Sequence, residues 1–259
     1  MRLLLIFVMA CASHPNQIHG AWSEPVDPVH IIGNLHYVGA KNIASYLITT
    51  PAGHILIDTG TREMIPIVRR NIEKLGFAVR DIKILLCSHA HYDHVQGHAA
   101  IQQASGARVM VMRGDDTAVA SGIDQSPFAG EGWDPVRVDR ILEDNDTVEL
   151  GGTTLQAIAA PGHTPGCTVW TTRIATREVV IYGCMRPNDG VQLTGNPRFP
   201  HLVDQTRATF RRMRALAPDL TLTTHPDAPF AARIDPAAWP KLLDEAEAEF
   251  AQQLRNVGP

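Results

Sequence analysis

The first half of the chain alternates short apolar runs with turn residues. The runs are rich in Ile, Leu, Val and Tyr, and they are separated by Gly33-Asn34, by Gly39 and by Pro51-Ala52-Gly53. This is the pattern of short strands joined by tight turns. We predict an antiparallel meander of strands at 30–32, 35–38, 45–49 and 54–57. A helix over 61–75 should pack against it, because apolar residues recur there at helical spacing.

Strands and helices alternate along the rest of the chain. Residues 122–135 are rich in Gly, Pro and Trp without periodicity, so we predict a long surface loop of the kind that often lines a functional site. The other predicted strands are 82–86, 108–112, 147–150, 153–159, 168–172, 179–183 and 220–224, and the other predicted helices are 95–104, 115–121, 202–216 and 236–254. Strands outnumber helices and no repeat or linker interrupts the pattern, which indicates a single domain over residues 21–259.

The composition is that of a globular protein with a small-molecule partner. Hydrophobic residues make up 44% of the 259 residues, charged residues 19%, and the formal net charge is −4. This charge provides no attraction for nucleic acid or an acidic membrane surface. No apolar run reaches the roughly 18 residues of a membrane span. We therefore expect a monomer that acts on a small molecule, without nucleic acid and without a membrane span.

Residues 1–20 predict a secretory signal peptide. Arg2 precedes the apolar segment 3–9, and Ala10-Cys11-Ala12 offers a small-x-small cleavage site. We therefore expect a periplasmic or secreted protein. Removal of this segment leaves three cysteines, an odd number, so one thiol stays free or binds something else. Cleavage after Ala12, a later cut near Gly20 and lipidation at Cys11 all remain open, as does a buried first strand.

Three histidines and a carboxylate lie within six residues directly after the predicted strand 82–86. His89 and His91 point to the same side of an extended segment, because side chains alternate with period two, and both therefore reach one cation. Asp93 and His94 stand where the chain turns into the next helix, which directs them to a second position nearby. The alternative is a polar loop of solvated histidines, but this density of ligand side chains favours two adjacent metal ions.

Two more histidines follow predicted strands and stand among turn residues. His163 lies in the segment 160–166, after strand 153–159, and His225 follows strand 220–224. We predict two ligand sets: His89, His91 and His163 for one ion, and Asp93, His94 and His225 for the other. Nitrogen ligands with an open position are typical of catalytic zinc, so we expect two Zn²⁺ ions. With one carboxylate for two dications, a bridging water should ionise to hydroxide and attack a carbonyl, which predicts a hydrolase.

These residues resemble the motifs of the metallo-β-lactamase superfamily. The resemblance rests on His89-x-His91-x-Asp93-His94, on Gly162-His163-Thr164-x-Gly166 and on the late His225, and it spans residues 22–250. It implies an α+β fold, the four-layer αβ/βα sandwich in which two mixed β-sheets are flanked by helices and a dinuclear site lies at one edge. The first motif is specific for the superfamily but not for the substrate.

Within the superfamily, residues 34–39, 45–60 and 195–201 resemble the subclass B3 metallo-β-lactamases. That resemblance implies hydrolysis of the β-lactam ring of penicillins, cephalosporins and carbapenems, and hence antibiotic resistance. It also implies that a metal-bridging hydroxide attacks the lactam carbonyl while the tri-histidine zinc stabilises the oxyanion and the other zinc the departing nitrogen. Asp93 would be the catalytic residue that binds and orients the hydroxide.

Thioesterases of the glyoxalase II kind and lactonases share the first motif and are the alternatives. They carry a further bridging Asp after the strand that corresponds to 179–183, where this chain has Gly183-Cys184. This difference favours the β-lactamase function. A non-catalytic metal-binding protein would lack a ligand, and none is missing. A nuclease of the superfamily would need a basic face, which the composition does not offer.

The segment after strand 179–183 departs from subclass B3. Serines that commonly meet the substrate carboxylate are replaced there by Cys184-Met185-Arg186-Pro187-Asn188. We predict Arg186 and Asn188 as substrate-binding residues, because a guanidinium grips a carboxylate with two charge-assisted hydrogen bonds. A solvated loop arginine is the alternative. We also expect Cys184 to be a reactive thiol beside the second zinc, or else a buried apolar residue, and Asp58 to be either an outer carboxylate of the site or a turn former.

Overall fold

Two mixed β-sheets form the centre of this computed structural model, which describes residues 22–226 and 235–256. The first sheet has the strand order β1 (Val29–Ile32), β2 (Leu35–Tyr37), β3 (Tyr46–Thr50), β4 (Gly53–Ile57), β5 (Ile82–Leu86), β6 (Arg108–Met112) and β7 (Val138–Leu142). The second has the order β12 (Leu220–Thr223), β11 (Arg177–Tyr182), β10 (Thr168–Ile174), β9 (Thr153–Ala159) and β8 (Thr147–Leu150). The predicted signal peptide, with Cys11, lies outside the described residues.

The pairing of the strands brings several chain segments to one edge of the first sheet. Strands β1 to β4 pair antiparallel, which confirms the predicted meander, and β4 to β7 pair parallel. In the second sheet β11 and β12 are parallel and the other pairs antiparallel. Because parallel strands end at the same edge, the segments after β4, β5 and β6 lie side by side there.

Six α-helices cover the sheets in the described part of the chain. They are α1 (Ile65–Lys74), α2 (Tyr92–Val95), α3 (His98–Ser105), α4 (Asp116–Ser121), α5 (Leu202–Met213) and α6 (Ala238–Asn256). None of the helices described has both the length and the apolar character that crossing a bilayer requires.

Three apolar clusters separate the layers, and the alternation of side chains along the strands produces them. In β3, Leu47 packs toward the helices with Val68 of α1, whereas the next residue, Ile48, packs between the sheets with Trp170 of β10. A third cluster, which includes Phe210 of α5, joins the second sheet to α5 and α6. Helices, sheet, sheet and helices follow one another, and the predicted α+β four-layer fold is confirmed.

Two elements differ from the sequence prediction. The predicted helix 95–104 is divided into α2 and α3 at Gln96-Gly97. The close packing of the sheet edge explains the break, because a Cβ on Gly97 would lie 2.8 Å from Cβ of Thr59. Strand β7 was not predicted at all. It is an edge strand with three consecutive exposed residues, so it lacks the alternation that identifies a half-buried strand.

Two buried histidines on the helix side of the first sheet should make the fold sensitive to acid. His36 and His54 both lie against Phe77, and neither Nδ1 has a hydrogen-bond partner. Burial lowers the pKa of both side chains. The unfolded chain, in which a histidine pKa is about 6.5, therefore binds more protons below that pH, and stability falls as the pH drops below about 6.5.

We expect the His36→Gln variant to lose part of this pH dependence, because glutamine does not titrate. Urea unfolding at pH 7 and at pH 5 measures the change in the free energy of unfolding, which should be smaller in the variant than in the parent. His201→Gln, at an exposed position, should keep the parent's pH dependence. An identical pH dependence in parent and His36→Gln would show that His36 does not contribute.

Candidate metal centre

The segment after β5 carries four of the six predicted ligands. The backbone of His91 is extended, and helix α2 begins at the next residue. This change from extended to helical backbone separates His89 and His91 from Asp93 and His94, as predicted. All four side chains are buried in the protein.

His89, His91 and His163 lie together at the edge of the two sheets. Each offers one ligand atom, and these atoms all lie within 4.8 Å of one another. Two of the side chains follow β5 of the first sheet, whereas His163 lies in the loop between β9 and β10 of the second sheet. The site therefore depends on how the two sheets are held together.

Hydrogen bonds on the far side of each ring orient these three imidazoles. His163 Nδ1 lies 2.9 Å from the carbonyl oxygen of Arg186, and His91 Nε2 lies 2.9 Å from Ser126 Oγ. His89 Nδ1 lies 3.1 Å from Ser88 Oγ, whose hydroxyl donates to a carboxylate. A carbonyl only accepts, so His163 Nδ1 carries the proton and Nε2 keeps its lone pair. The same argument leaves a lone pair on Nε2 of His89.

Asp93, His94 and His225 form a second group beside the first. Their ligand atoms also lie within 4.8 Å of one another. Nε2 of His94 lies 3.0 Å from Nε2 of His225, and Oδ2 of Asp93 lies 3.3 Å and 3.4 Å from these two nitrogens. The rings of His89 and His94 approach to 4.1 Å between centroids, so the two groups are adjacent.

Asp58 connects the two groups, because it is hydrogen-bonded to His94 directly and to His89 through Ser88. Its backbone has a positive φ of 60° directly after β4, and its carboxylate accepts hydrogen bonds from Ser88 N at 2.7 Å, from Ser88 Oγ at 2.7 Å and from His94 Nδ1 at 3.0 Å. Of the two roles that the sequence left open, the structure shows the outer carboxylate.

Burial and charge set different protonation states in the two groups. Burial lowers the pKa of His89 and His163 well below the usual range, so both are neutral and hold a lone pair. Burial also favours a lower pKa for His94, but the Asp93 and Asp58 carboxylates outweigh this effect and raise the pKa of His94 to about 10. A metal ion at the second group would take the place of that proton, so metal binding there should weaken as the pH falls.

The donor atoms fit a metal ion with a preference for nitrogen. Nε2 of His89 is buried without a hydrogen-bond partner, and such an atom is costly unless a ligand satisfies it. Five imidazoles and one carboxylate match the side chains that zinc takes in proteins. The described residues therefore provide two adjacent places where metal ions fit.

The predicted surface loop 122–135 does border the site. Ser126 Oγ contacts Nε2 of His91, and the buried Asp124 carboxylate lies 3.9 Å from that nitrogen. The ring of Phe128, which is 41% exposed, lies 6.2 Å from the His91 ring. Ser126, Ser88 and a further buried carboxylate, Asp115, were not singled out from the sequence, because they carry no pattern that distinguishes them from turn and cap residues.

The contacts of Arg186 differ from those expected of an anchor for the substrate carboxylate. The guanidinium is buried and donates to Glu249 of α6 at 2.9 Å, to Asp189 at 3.0 Å and to the carbonyl oxygen of Pro187 at 3.1 Å. Nε and Nη1 are thus engaged by the protein's own acceptors, which excludes a solvated loop arginine and argues against the predicted carboxylate anchor. Asn188 is partly buried in the same segment, and its substrate-binding role stays a prediction.

Arg186→Ala should therefore act on stability rather than on substrate affinity. The loss of these hydrogen bonds should lower the free energy of unfolding by about 2 kcal/mol in total. A buried bond to a charged group is typically worth about 1.5–3 kcal/mol, but solvent weakens those to Asp189 and Glu249, whose side chains are 52% and 37% exposed. Urea unfolding measures this, and Glu249→Gln, which keeps the shape but removes one charge, should show part of the same loss. A variant with parental stability and a tenfold higher KM would restore the anchoring role.

The reactive thiol expected at position 184 is not supported. Cys184 is 7% exposed, and it is not among the free cysteines, which in the described residues are Cys87 and Cys167. The ligand atoms of the second group belong to Asp93, His94 and His225, which is the set predicted from the sequence, and Cys184 is not among them.

Comparison with known proteins gives the family of this fold and site. Residues 38–225 match the family model described as metallo-beta-lactamase superfamily. The chain belongs to this superfamily. The match runs from before β3 to His225 and leaves out β1 and β2, and it includes every residue of the two groups.

The superfamily fold is shared over nearly the whole chain with two solved β-lactamases. The native FEZ-1 metallo-beta-lactamase from Legionella gormanii is 33% identical, with a TM-score of 0.84 over 90% of this chain and 97% of that chain. The class B3 di-zinc metallo-beta-lactamase LRA-12 from an Alaskan soil metagenome is 30% identical, with a TM-score of 0.85 over 93% of this chain and 98% of that chain.

Curated superfamily relatives match over shorter stretches. A hydroxyacylglutathione hydrolase of Bradyrhizobium sp. (strain ORS 278) is 32% identical over 119 residues, which are 46% of this chain and 39% of the relative. The chain thus matches well under two thirds of the length of that relative.

Proposed function

We propose that this protein is a zinc-dependent β-lactamase of subclass B3 type, which hydrolyses the amide bond of the β-lactam ring. Two Zn²⁺ ions would be held by the two groups at the sheet edge, one by His89, His91 and His163 and the other by Asp93, His94 and His225. The activity would confer resistance to β-lactam antibiotics.

The similarity to solved metallo-β-lactamases carries this proposal. It covers 90% or more of the chain, whereas the matches to hydroxyacylglutathione hydrolases cover 36% to 72% of it. The residue after Gly183 adds support, because thioesterases of the glyoxalase II kind place a further bridging Asp there and this chain has Cys184.

The reaction adds water across the lactam amide: a hydroxyl joins the carbonyl carbon, the carbon–nitrogen bond breaks and the nitrogen receives a proton. When bound, the two zinc ions supply Lewis acids that activate the water and polarise the carbonyl. The chain's contribution is to place the reacting groups. Hydrogen bonds to Arg186 O and Ser126 Oγ fix the rings of His163 and His91 before substrate arrives, so little reorganisation is needed.

Asp93 is the residue that would orient the attacking water. Although its burial raises the pKa, the neighbouring His94 and His225 outweigh that effect and hold the pKa of the carboxyl well below its usual range. Asp93 is therefore ionised at neutral pH and accepts a hydrogen bond from water. The partly exposed ring of Phe128 beside His91 would offer an apolar surface to the substrate.

A thioesterase is the second candidate, because the curated relatives carry the name hydroxyacylglutathione hydrolase. It would use the same two metal groups and the same attack of water on a carbonyl carbon, with a thiol as the leaving group. The two candidates differ in the substrate and not in the metal chemistry.

We further propose that residues 1–20 direct export to the periplasm or the medium, where a β-lactamase meets its substrates. Expression of the full chain, followed by fractionation and mass determination of the exported form, tests this. A protein that stays in the cytoplasm with its N-terminus intact would contradict it.

The proposed activity is tested with purified protein, a chromogenic cephalosporin, a penicillin and a carbapenem. We expect about two zinc ions per chain, turnover of at least one of these compounds, loss of turnover on dialysis against a chelator and recovery on addition of zinc. A zinc-loaded protein that opens no β-lactam ring would contradict the proposal.

A further inference from the structure

A buried carboxylate outside both groups joins the two halves of the tri-histidine group, which consists of His89, His91 and His163. Asp115 follows β6 and precedes α4, and its side chain is 1% exposed. It is not one of the six predicted ligands.

All three hydrogen bonds of this carboxylate go to the two segments that carry the histidines. Oδ2 accepts from the backbone N–H of Ala90 at 2.7 Å and from Thr164 Oγ1 at 2.6 Å, and Oδ1 accepts from the backbone N–H of Gly166 at 2.7 Å. Ala90 lies between His89 and His91, and Thr164 directly follows His163. One oxygen atom thus contacts both halves of the group.

The fit at this crossing is tight. A Cβ on Gly166 would lie 2.4 Å from the backbone nitrogen of Asp115 and 2.7 Å from its Cβ, closer than side-chain atoms approach. Gly166 therefore packs backbone against backbone on the segment after β6 that carries Asp115, and at this point the carboxylate connects the loop after β5 to the loop after β9. The first loop belongs to one sheet and the second to the other.

Burying a carboxylate costs free energy. Burial raises the pKa of Asp115 to about 6 even though three hydrogen-bond donors favour the ionised form. The position of the three donors indicates what the carboxylate provides, because each donor is next to a predicted ligand or within three residues of one.

We propose that Asp115 is a positioning residue that sets the separation between His163 and the His89–His91 pair, and through it the affinity of the tri-histidine group for its metal ion. The inference rests on the metal centre of the proposed function, but not on the identity of the substrate. The group of Asp93, His94 and His225 receives no hydrogen bond from Asp115 among the contacts described, so its affinity should be affected much less.

The test measures metal affinity at each group separately. A His225→Ala background leaves the tri-histidine group as the intact one, and a His163→Ala background leaves the other. Asp115→Asn is introduced into each background, and zinc and cobalt(II) affinities are measured by competition with a chromophoric chelator. An amide keeps the shape but has one acceptor oxygen, so at least one backbone or hydroxyl donor faces an NH₂ group.

We expect Asp115→Asn to weaken zinc binding by the tri-histidine group about 10-fold to 100-fold, the range for loss of an outer hydrogen-bond partner, and to change the other group by no more than a few-fold. The cobalt(II) absorption bands of the tri-histidine group should also shift, since they report ligand geometry. Asp116→Asn is the matched control: it makes the same charge change one residue away, at a side chain that accepts a hydrogen bond only from Gly114 N among the contacts described, and it should change neither affinity.

Unchanged zinc affinity of the tri-histidine group in Asp115→Asn would overturn the proposal, and so would an equal loss at both groups, which would indicate general loosening. If Asp115→Asn does not fold, Thr164→Val removes a single donor and should still weaken tri-histidine binding several-fold; an unchanged affinity there overturns the proposal as well. A parent protein that binds two metal ions but opens no β-lactam would refute the proposed function and leave this inference standing.

Discussion

Replacing His163 with alanine should abolish nearly all hydrolytic activity and weaken the binding of one of the two proposed metal ions by more than about 100-fold. Loss of an outer hydrogen-bond partner alone typically costs about 10-fold to 100-fold, and His163 contributes a ligand atom itself. It is also the ligand that the second sheet supplies to its group, so its loss disconnects the tri-histidine site from that sheet. Metal content after gel filtration and kcat/KM measure the two effects.

The control for this change is His30→Ala, at an exposed position on β1. It should retain two metal ions and parental kcat/KM. Parental activity in His163→Ala would mean that the reaction does not use the tri-histidine group, and the assignment of the site would be wrong.

Asp58→Asn should have the second largest effect, a loss of about 10-fold to 100-fold in activity and in metal affinity at the group of Asp93, His94 and His225. The Asp58 carboxylate accepts two hydrogen bonds from Ser88 and one from His94 Nδ1. An amide in its place turns an NH₂ group toward one of these donors. His94 is then free to change its tautomer, and Nε2 no longer reliably holds the lone pair that a metal needs.

Asparagine tolerates the positive φ at this position better than most residues, so the change tests the hydrogen bonds rather than the backbone. Metal affinity by chelator competition and kcat/KM at neutral pH are the measurements. Asp27→Asn, which alters an exposed ion pair with Lys74, is the control. If Asp58→Asn retains parental metal affinity and activity, the outer carboxylate does not orient His94.

Local patterns made the fold and the two groups of candidate ligands predictable. Short runs such as 45–49 and 82–86 alternate between two apolar clusters, one on each face of a sheet, so their composition identifies strands without knowledge of the partner. The spacing of His89, His91, Asp93 and His94 is likewise local, because it depends only on an extended segment that turns into a helix.

What the sequence left undecided depends on contacts between distant residues. Arg186 turned out to be bonded to Glu249, 63 residues further along the chain, and nothing near Arg186 indicates that acceptor. Asp115 has the position of an ordinary residue before a helix, and its bonds to Ala90, Thr164 and Gly166 exist only because the two sheets bring their loops together. Edge strand β7 lacked a periodic signal for a related reason, since solvent covers much of it.

The most direct test of the proposed β-lactamase function compares substrates on one preparation of zinc-loaded protein. The kcat/KM for a penicillin, a cephalosporin and a carbapenem is measured beside that for a hydroxyacylglutathione thioester and a simple lactone, each with and without chelator. The proposed function predicts chelator-sensitive opening of at least one β-lactam with a kcat/KM at least 100-fold above those for the thioester and the lactone. Chelator-sensitive thioester or lactone hydrolysis with no β-lactam turnover would contradict it.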